Sequence, residues 1–484
     1  MKIPHWVALP VLLGTVTALL PAQTLTLREA LTRADAAAYQ NRIADGDAVV
    51  RRGQATGALR GILPSVRFEG GFIRTTDPIG AFGTTLRQRR ITAADFDPAR
   101  LNRPDAINNF QGGAVVEQPL FNADAWVGRR AAARAGDAAD AAADWGRTSL
   151  RVDVIRAWYG VTLARERVAT LADAAKAAHA HVGQAESMVR QGLATRSDAL
   201  LAAVGAGEVD AQLADAEAEA RTAVRQLALL LGEHDFSASL PESLPSAQRI
   251  RAVVAPDTVD TSAAEASTDN PSTTDASTTD ASATDAPATD ARADVEAAEF
   301  ALDAARLDAR RARSLYLPRL NALARYDWNS ASRLYAGVPS WTVGLMATWT
   351  PFAGAGELAE RQVSKGNEAA ARAMAEAARA RASLEAEQAG NALRAALAGL
   401  AIAERAVAQS AEAHRMVARK YEGGLATIVE LLDASAVETR SALRFSAARH
   451  AVITSAAERR KALGRDPATL VALEDPAPTV PPTR

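Results

Sequence analysis

The tetrapeptide Gly192-Leu193-Ala194-Thr195 recurs unchanged as Gly424-Leu425-Ala426-Thr427, 232 positions further along the chain. The same spacing relates two more pairs of segments, Pro119-Leu120-Phe121 to Pro351-Phe352-Ala353 and Leu231-Gly232 to Leu463-Gly464. Three matches at one spacing indicate an internal duplication, so each half must contain the same order of structural elements.

The residues around each turn predict long helices. About 68 residues between Ala123 and Gly192 contain no proline, which corresponds to roughly 100 Å of helix at about 1.5 Å per residue. Hydrophobic residues make up 48% of the chain but aromatic residues only 5%, so small side chains, alanine above all, supply most of the apolar surface. This composition favours helices packed closely side by side. After each turn, Thr195 with Asp198 and Thr427 with Glu430 have the Thr-x-x-acid spacing of a helix capping box.

A pair of strands is predicted upstream of each long helix. Polar and apolar residues alternate after Leu317-Pro318, and a similar pattern follows Leu63-Pro64, where the hairpin is 22 residues longer. Strands of about ten residues are long enough to cross a bilayer when tilted. The predicted lipid-facing side chains are aromatic: Phe68, Phe72, Phe110, Tyr326, Trp328, Trp341 and Trp349.

Four strands are too few to close a barrel, and unpaired strand edges in lipid cost several kcal/mol per group. We therefore expect a homotrimer with a twelve-stranded β-barrel, continued by a tube of long helices from the three chains. An ordinary sheet on a soluble core is the alternative for a single hairpin. A secretory signal at residues 1–22 supports the membrane interpretation, because Lys2 precedes an apolar run that ends near Pro21-Ala22.

Composition also excludes several classes of protein. The formal net charge is only −2, which argues against a nucleic-acid partner. With no cysteine, the chain has no disulfide, no thiolate metal site and no lipid-modified cysteine. His179 and His181 lie two positions apart, on different faces of a helix, so a metal pair is not expected. We find no phosphate-binding glycine loop and no hydrolase or metalloprotease motif, so neither catalysis nor a cofactor is expected.

The first hairpin carries the longer external loop, about Thr75 to Asn109. It contains five arginines, and we expect a solvated loop, with a positively charged lid as the alternative. Repeated Thr-Asp-Ala units predict a disordered linker where the two halves join. The proline-rich C-terminus predicts a flexible tail.

These features divide the chain into nine segments. They are the signal peptide, 1–22; N-terminal helices, 23–62; the first β-hairpin, 63–118; the first long helical hairpin, 119–253; the acidic linker, 254–292; a helix, 293–316; the second β-hairpin, 317–351; the second long helical hairpin, 352–465; and the tail, 466–484.

The order of these elements, with Gln118-Pro119-Leu120-Phe121-Asn122 and Tyr421-Glu422-Gly423-Gly424-Leu425, closely resembles the TolC-type outer-membrane efflux protein family. The resemblance implies a mainly α-helical protein with a membrane β-barrel part: a trimeric twelve-stranded barrel in the outer membrane, continued by a long α-helical barrel across the periplasm. It implies a passive conduit for small molecules, opened at its periplasmic tip by a periplasmic adaptor and an inner-membrane pump of the RND or ABC type. Two alternatives are the exit duct of a type I protein secretion system and a soluble periplasmic coiled-coil scaffold.

The resemblance also assigns residues at the tip. Those implied to dock the adaptor are Gly192, Leu193, Thr195, Gly424, Leu425 and Thr427, and those implied to form the periplasmic gate are Glu430, Asp433, Tyr421 and Asp198. A latch arginine of the family is replaced here by Ala426, so closure must use fewer charged bonds or different ones.

Overall fold

The computed structural model describes residues 25–234, 239–259 and 292–474. The predicted signal peptide and most of the predicted linker lie outside these residues. The first half contains α1 (Leu27–Ala37), α2 (Tyr39–Gly57), β1 (Ser65–Thr75), α3 (Pro78–Arg87), α4 (Pro98–Asn102), β2 (Ile107–Phe121), α5 (Ala123–Arg190), α6 (Arg196–Leu231), α7 (Ala247–Val254) and α8 (Pro256–Val259). The second half contains α9 (Ala293–Ser314), β3 (Arg319–Ser330), β4 (Val338–Thr348), α10 (Gly356–Glu422), α11 (Ile428–Ala462) and a 3-10 helix at Pro467–Leu473.

The lengths of the long helices repeat between the halves. Helices α5 and α10 have 68 and 67 residues, and α6 and α11 have 36 and 35. Gly232 and Gly464, which follow α6 and α11, both have positive φ, 75° and 68°. Glycine adopts this left-handed conformation without the steric cost of a Cβ atom, which explains why the same residue ends both hairpins.

The four strands form one antiparallel sheet in the order β1-β2-β3-β4. Pairs such as Phe72 with Phe110 and Tyr326 with Trp341 stand directly opposite each other in this register. Opposed residues in an antiparallel pair point to the same face of the sheet, so aromatic residues of all four strands share one face. The duplication thus joins two hairpins into a single sheet with two different faces.

The largest hydrophobic core lies midway along the long helices. Trp158 and Ile155 of α5 are buried there with Leu27 of α1 and Ile250 of α7. Leu470 of the 3-10 helix is 0% exposed in the same core. The prediction of a flexible tail from 466 is therefore wrong as far as residue 474, because burial of apolar side chains fixes this segment against the helices.

The predicted start of the linker at 254 is also too early. Val254 is the buried last residue of α7, and α8 follows it. Asp257 of α8 accepts a hydrogen bond from Nε of Arg460 at 2.9 Å, and both side chains are buried. At the other end, Arg292 is 1% exposed and pairs with Asp294. Arg292 also donates to the carbonyl oxygens of Ala382 and Ala462, so both ends of the predicted linker are in contact with the long helices.

Trp349, which was predicted to face lipid, lies one residue beyond the end of β4. Its indole Nε1 donates a hydrogen bond to the carbonyl oxygen of Tyr316 at 3.1 Å, which ties the end of the second hairpin to the residues after α9. Among the described residues, none of the helices combines the length and apolar character needed for a membrane span.

Candidate functional site

Two equivalent turns form the tip of the molecule, one between α5 and α6 and the other between α10 and α11. Gly192 and Gly424 have φ values of 76° and 69°. The amides of Leu193 and Leu425 each donate 2.8 Å hydrogen bonds back to carbonyl oxygens of the preceding helix. This geometry closes both helices with the same left-handed glycine cap. It also turns the two leucine side chains outward, 69% and 82% exposed.

The predicted capping boxes are confirmed at both turns. The amide of Thr195 donates to Oδ2 of Asp198 at 2.8 Å, and the amide of Asp198 donates to Oγ1 of Thr195 at 3.3 Å. The same pair of bonds joins Thr427 and Glu430, at 2.8 Å and 3.3 Å. Asp198 and Glu430 therefore cap the first turns of α6 and α11, independently of any role in the predicted gate.

A small apolar cluster joins the two helical hairpins just behind the turns. Its buried members come from all four long helices: Ala185, Ala202, Tyr421, Ile428 and Leu431. Tyr421 is 4% exposed, and its hydroxyl has no hydrogen-bond partner among the described residues. Burial, and then the nearby negative charge of Asp198, raises the pKa of Tyr421. The tip thus brings Tyr421 and Asp198 close together without a hydrogen bond between them.

The remaining predicted gate residue, Asp433, lies one turn beyond Glu430 on α11. Both acids are exposed. Asp433 lines a cavity of about 540 Å³ between the two helical hairpins, together with Glu208 and Arg440. The sequence alone did not indicate this cavity, because its walls come from helices more than two hundred residues apart in the chain.

His181 also lines this cavity. Its sequence position argued against a metal pair with His179 but did not indicate this location. The His181 ring packs edge-on against His414, with ring centroids 5.9 Å apart. Nδ1 of His414 is hydrogen-bonded to Glu438, whereas Nε2 of both histidines is buried and has no hydrogen-bond partner within residues 25–234, 239–259 and 292–474. Burial, and then the proximity of His414, lowers the pKa of His181.

His179 does not join this pair of histidines, because its side chain contacts Asp210. Among the residues described by the structure, no group of three or more potential ligands is placed to hold a metal ion.

At the opposite end of the molecule, the two faces of the sheet differ sharply in polarity. Six of the seven predicted lipid-facing residues share one face: Phe68, Phe72, Phe110, Tyr326, Trp328 and Trp341. The other face carries Arg67, Glu69, Arg325 and Asp327, which form ion pairs with one another. We call these the aromatic face and the polar face.

Tyr335, in the turn between β3 and β4, folds over the aromatic face, and the sequence did not indicate this. Its hydroxyl donates a 3.0 Å hydrogen bond to the carbonyl oxygen of Glu69. Its ring lies edge-on to Trp328 and covers Gly112, where an added Cβ would come within 2.5 Å of the ring. The absence of a side chain at Gly112 is therefore what admits the tyrosine.

The fold matches known outer-membrane proteins over nearly its whole length. Solved structures similar to this chain include a membrane protein from Pseudomonas aeruginosa (TM-score 0.70, 20% identity, covering 90% of this chain and 93% of that one). The Campylobacter jejuni CmeC outer membrane channel matches with a TM-score of 0.70 at 15% identity, covering 90% of this chain and 85% of its own. The outer membrane protein VceC from Vibrio cholerae matches with a TM-score of 0.69 at 17% identity, covering 91% and 96%. No curated protein sequence is significantly similar.

A family model described as "Outer membrane efflux protein" matches residues 19–233 and 287–465, which is most of the chain. This match favours efflux over the two alternatives, a protein-secretion duct and a soluble scaffold. Members of this family work with an adaptor and an inner-membrane pump. The chain therefore belongs to the outer membrane efflux protein family, and it is an efflux channel of the outer membrane that extends into the periplasm.

Proposed function

We propose that the chain works as a homotrimer that forms one passive conduit for small molecules across the periplasm and the outer membrane. The observation that supports the trimer is the open four-stranded sheet, in which β1 and β4 are edge strands. Three such sheets would supply twelve strands and pair every edge. In hydrocarbon an unpaired backbone group costs several kcal/mol, so edges of 11 residues each strongly favour closure with neighbouring protomers.

The polarity of the sheet decides which side of the barrel faces lipid. Phe68, Trp341 and Leu345 on the aromatic face are 70%, 74% and 72% exposed in the protomer. Exposed apolar surface of this extent is expected to face an apolar environment. We therefore assign the aromatic face to lipid and the polar face to the lumen. We also propose that Trp349, one residue beyond β4, faces lipid at the periplasmic end where the hairpin meets the helices.

At the other end, the tip is proposed to dock the periplasmic adaptor. Leu193 and Leu425 are the most exposed apolar side chains of the two turns, and Gly192 and Gly424 leave the backbone accessible. Thr195 and Thr427 fix the turns through their capping boxes. Because the two turns have the same geometry, a trimer would present six similar sites. The pump, of the RND or ABC type, would supply the energy, since a passive channel performs no chemistry.

The gate is proposed to combine acidic residues with apolar packing. Glu430 and Asp433 are exposed and one turn apart on α11, so three copies would place six carboxylates around the axis. With Ala426 in the latch position, and with the hydroxyl of Tyr421 unbonded among the described residues while Asp198 bonds to Thr195, closure is proposed to use fewer charged bonds or different ones. We therefore propose that the cluster around Tyr421 holds the two hairpins of each protomer together by packing.

Pairing of strand edges tests the trimer directly. The natural chain has no cysteine, so Glu69→Cys on β1 can be combined in turn with Ser340→Cys, Thr342→Cys and Gly344→Cys on β4. Within one protomer these strands are separated by three spacings of about 4.8 Å, which is too far for a disulfide. We expect at least one pair to give a covalent trimer on a denaturing gel after oxidation, and each single variant to remain uncrosslinked. Protein that stays monomeric for all three pairs, in detergent and in membranes, would exclude the closed barrel.

A further inference from the structure

The loop between β1 and β2 is not simply solvated. Its first helix, α3, packs against the external end of the sheet, and Gln88, the residue after α3, is 5% exposed. Nε2 of Gln88 donates to Oδ1 of Asn109 at 3.0 Å and to the carbonyl oxygen of Asn108 at 2.8 Å. Asn109 points to the polar face, because it lies two residues from Gln111 on β2. The loop therefore returns onto the side of the sheet assigned to the lumen.

A chain of buried amides holds α3 in this place. Nδ2 of Asn109 donates to Oδ1 of Asn329 on β3 at 2.9 Å. Asn109 and Asn329 are 3% and 6% exposed. Burying amide groups costs free energy unless they are hydrogen-bonded, so these bonds specify one position for the end of α3. The amides link α3 to two strands from different halves of the duplication.

This position brings Arg87, the last residue of α3, over the polar face. Arg87 lines a cavity of about 320 Å³ together with Glu69, Gln111, Arg325 and Asp327. The two carboxylates of this cavity are already paired, Glu69 with Arg67 and Arg325, and Asp327 with Arg325. Arg87 forms no ion pair among the described residues and remains exposed. Its positive charge at this end of the polar face is therefore not compensated by a carboxylate among the described residues.

The other charges of the loop lie elsewhere. Asp77 and Asp97 cap α3 and α4, and Asp95 accepts bonds from Thr92. Hydrogen bonds from Thr92, and then the charges of Arg100 and Arg90, lower the pKa of Asp95. Arg90, Arg100 and Arg103 line a second cavity within the loop, not the cavity on the polar face. Among the loop arginines, Arg87 is thus the one that lines the cavity on the polar face.

We propose that α3 forms an external constriction of the channel, and that Arg87 makes this exit favour anionic over cationic solutes. In the trimer, three copies of α3 would narrow the outer opening, with three guanidinium groups at its edge. Rings of arginine or lysine select for anions in pores. The proposal rests on the proposed trimeric conduit, and it names Arg87 as a residue that determines selectivity.

Charge reversal tests the selectivity. Purified channels carrying Arg87→Glu are compared with wild type and with Arg100→Glu, which makes the same charge change away from the polar face. Under a tenfold KCl gradient in planar bilayers, Arg87→Glu is expected to shift the zero-current potential towards the K⁺ equilibrium potential, and Arg100→Glu is expected to shift it much less. Equal potentials for Arg87→Glu and wild type would overturn the proposal. If wild-type channels do not conduct at all, the proposed conduit fails instead, so the two failures can be told apart.

Chemical modification tests the position independently. Arg87→Cys introduces the sole cysteine of the chain. A negatively charged methanethiosulfonate reagent, added to open channels, is expected to lower the conductance of Arg87→Cys and to leave Arg100→Cys unchanged. Gln88→Ala, which breaks the amide chain, is expected to raise the conductance. If the reagent leaves the conductance of Arg87→Cys unchanged and Gln88→Ala conducts like wild type, α3 does not constrict the pore.

Discussion

The hydroxyl of Tyr421 is buried beside Asp198, yet the carboxylate of Asp198 bonds to Thr195 and not to the tyrosine. Ala426, in the turn between α10 and α11, contributes no side chain that could bridge them. Under the proposed gate, the latch would rest here on an aromatic ring packed among apolar side chains of four helices. A substitution that removes the ring of Tyr421 should therefore affect this cluster differently from one that removes only its hydroxyl.

Replacement of Tyr421 separates the two contributions. Tyr421→Phe removes only a hydroxyl that has no partner among the described residues, so we expect amide hydrogen exchange in residues 417–432 to stay the same or to slow. Tyr421→Ala leaves a cavity, and large-to-alanine changes in a core cost about 3–5 kcal/mol, so exchange in this segment should rise strongly. Faster exchange in Tyr421→Phe would mean that the hydroxyl is hydrogen-bonded in the assembly, against the packing proposal.

If Glu430 and Asp433 form the proposed acidic gate, then removing their charges without changing the size of their side chains should change the ion selectivity of the channel. Glu430→Gln with Asp433→Asn removes up to six negative charges from a trimer and keeps the capping geometry at Thr427. We expect the zero-current potential to shift towards the Cl⁻ equilibrium potential, most clearly at low salt, where screening is weakest. The measurement is the zero-current potential in planar bilayers at two ionic strengths. Glu422→Gln, an exposed acid at the end of α10, is the matched control. A double variant with wild-type selectivity would contradict the placement of the ring.

The buried pair of histidines, His181 and His414, is expected to make the region behind the tip sensitive to acid. The pKa of His181 is lowered in the folded protein below the ordinary value of 6.5. The unfolded chain therefore binds more protons between the folded pKa and about 6.5. Stability rises with pH through this window, is fully present above it, and is lost as the pH falls below about 6.5. Protonation of His181 would also place its charge beside His414, while Glu208, Asp433, Arg440 and Glu438 complete the charged surroundings.

This pH dependence is measured as the midpoint of thermal dissociation of the trimer at pH 7.5 and pH 5. His181→Phe keeps an aromatic ring and removes the titrating group, so its loss of stability between the two pH values should be smaller than that of wild type. His179→Asn, two residues away on the exposed side, should behave like wild type. An unchanged pH response in His181→Phe would exclude the buried ring as its source.

The sequence predicted the repeating elements well, because period and duplication are local signals. The turns at Gly192 and Gly424, their capping boxes and the shared face of Phe68 and Tyr326 all follow from spacing alone. What spacing does not encode is contact between distant polar residues. Gln88, Asn109 and Asn329 are ordinary loop and strand residues in the sequence, and their hydrogen bonds exist only after the two halves share a sheet. The sequence does not indicate the 3-10 helix near Leu470, because the prolines that follow it, Pro476, Pro478, Pro481 and Pro482, are typical of a flexible tail.

The buried pair of Asp257 and Arg460 should stabilise the segment that precedes the linker. Asp257→Ala leaves the guanidinium group buried without its charged partner, although Thr469 and Val253 still accept hydrogen bonds from it. Breaking a buried pair costs about 3–5 kcal/mol, so hydrogen exchange in α7 and α8 should increase. Asp153→Ala, which breaks the exposed pair with Arg156, should cost no more than about 1 kcal/mol and serves as the control. Equal exchange in the two variants would show that the buried pair contributes little.

Gly112 and Tyr335 provide a test of how the external end of the sheet is held. A methyl group at position 112 would come within 2.5 Å of the tyrosine ring, so Gly112→Ala must displace Tyr335 and its hydrogen bond to Glu69. Overpacking of this kind costs about 1–3 kcal/mol, and we expect the thermal dissociation temperature of the trimer to fall by a few degrees. Gly53→Ala adds the same methyl group on the exposed side of α2, away from the strand edges, with no atom within 4 Å, so it should not lower that temperature. Tyr335→Ala with Gly112→Ala should be no less stable than Tyr335→Ala alone, because the clash is then absent. A full additional loss in that double variant would show that Gly112 is required for a reason other than the tyrosine.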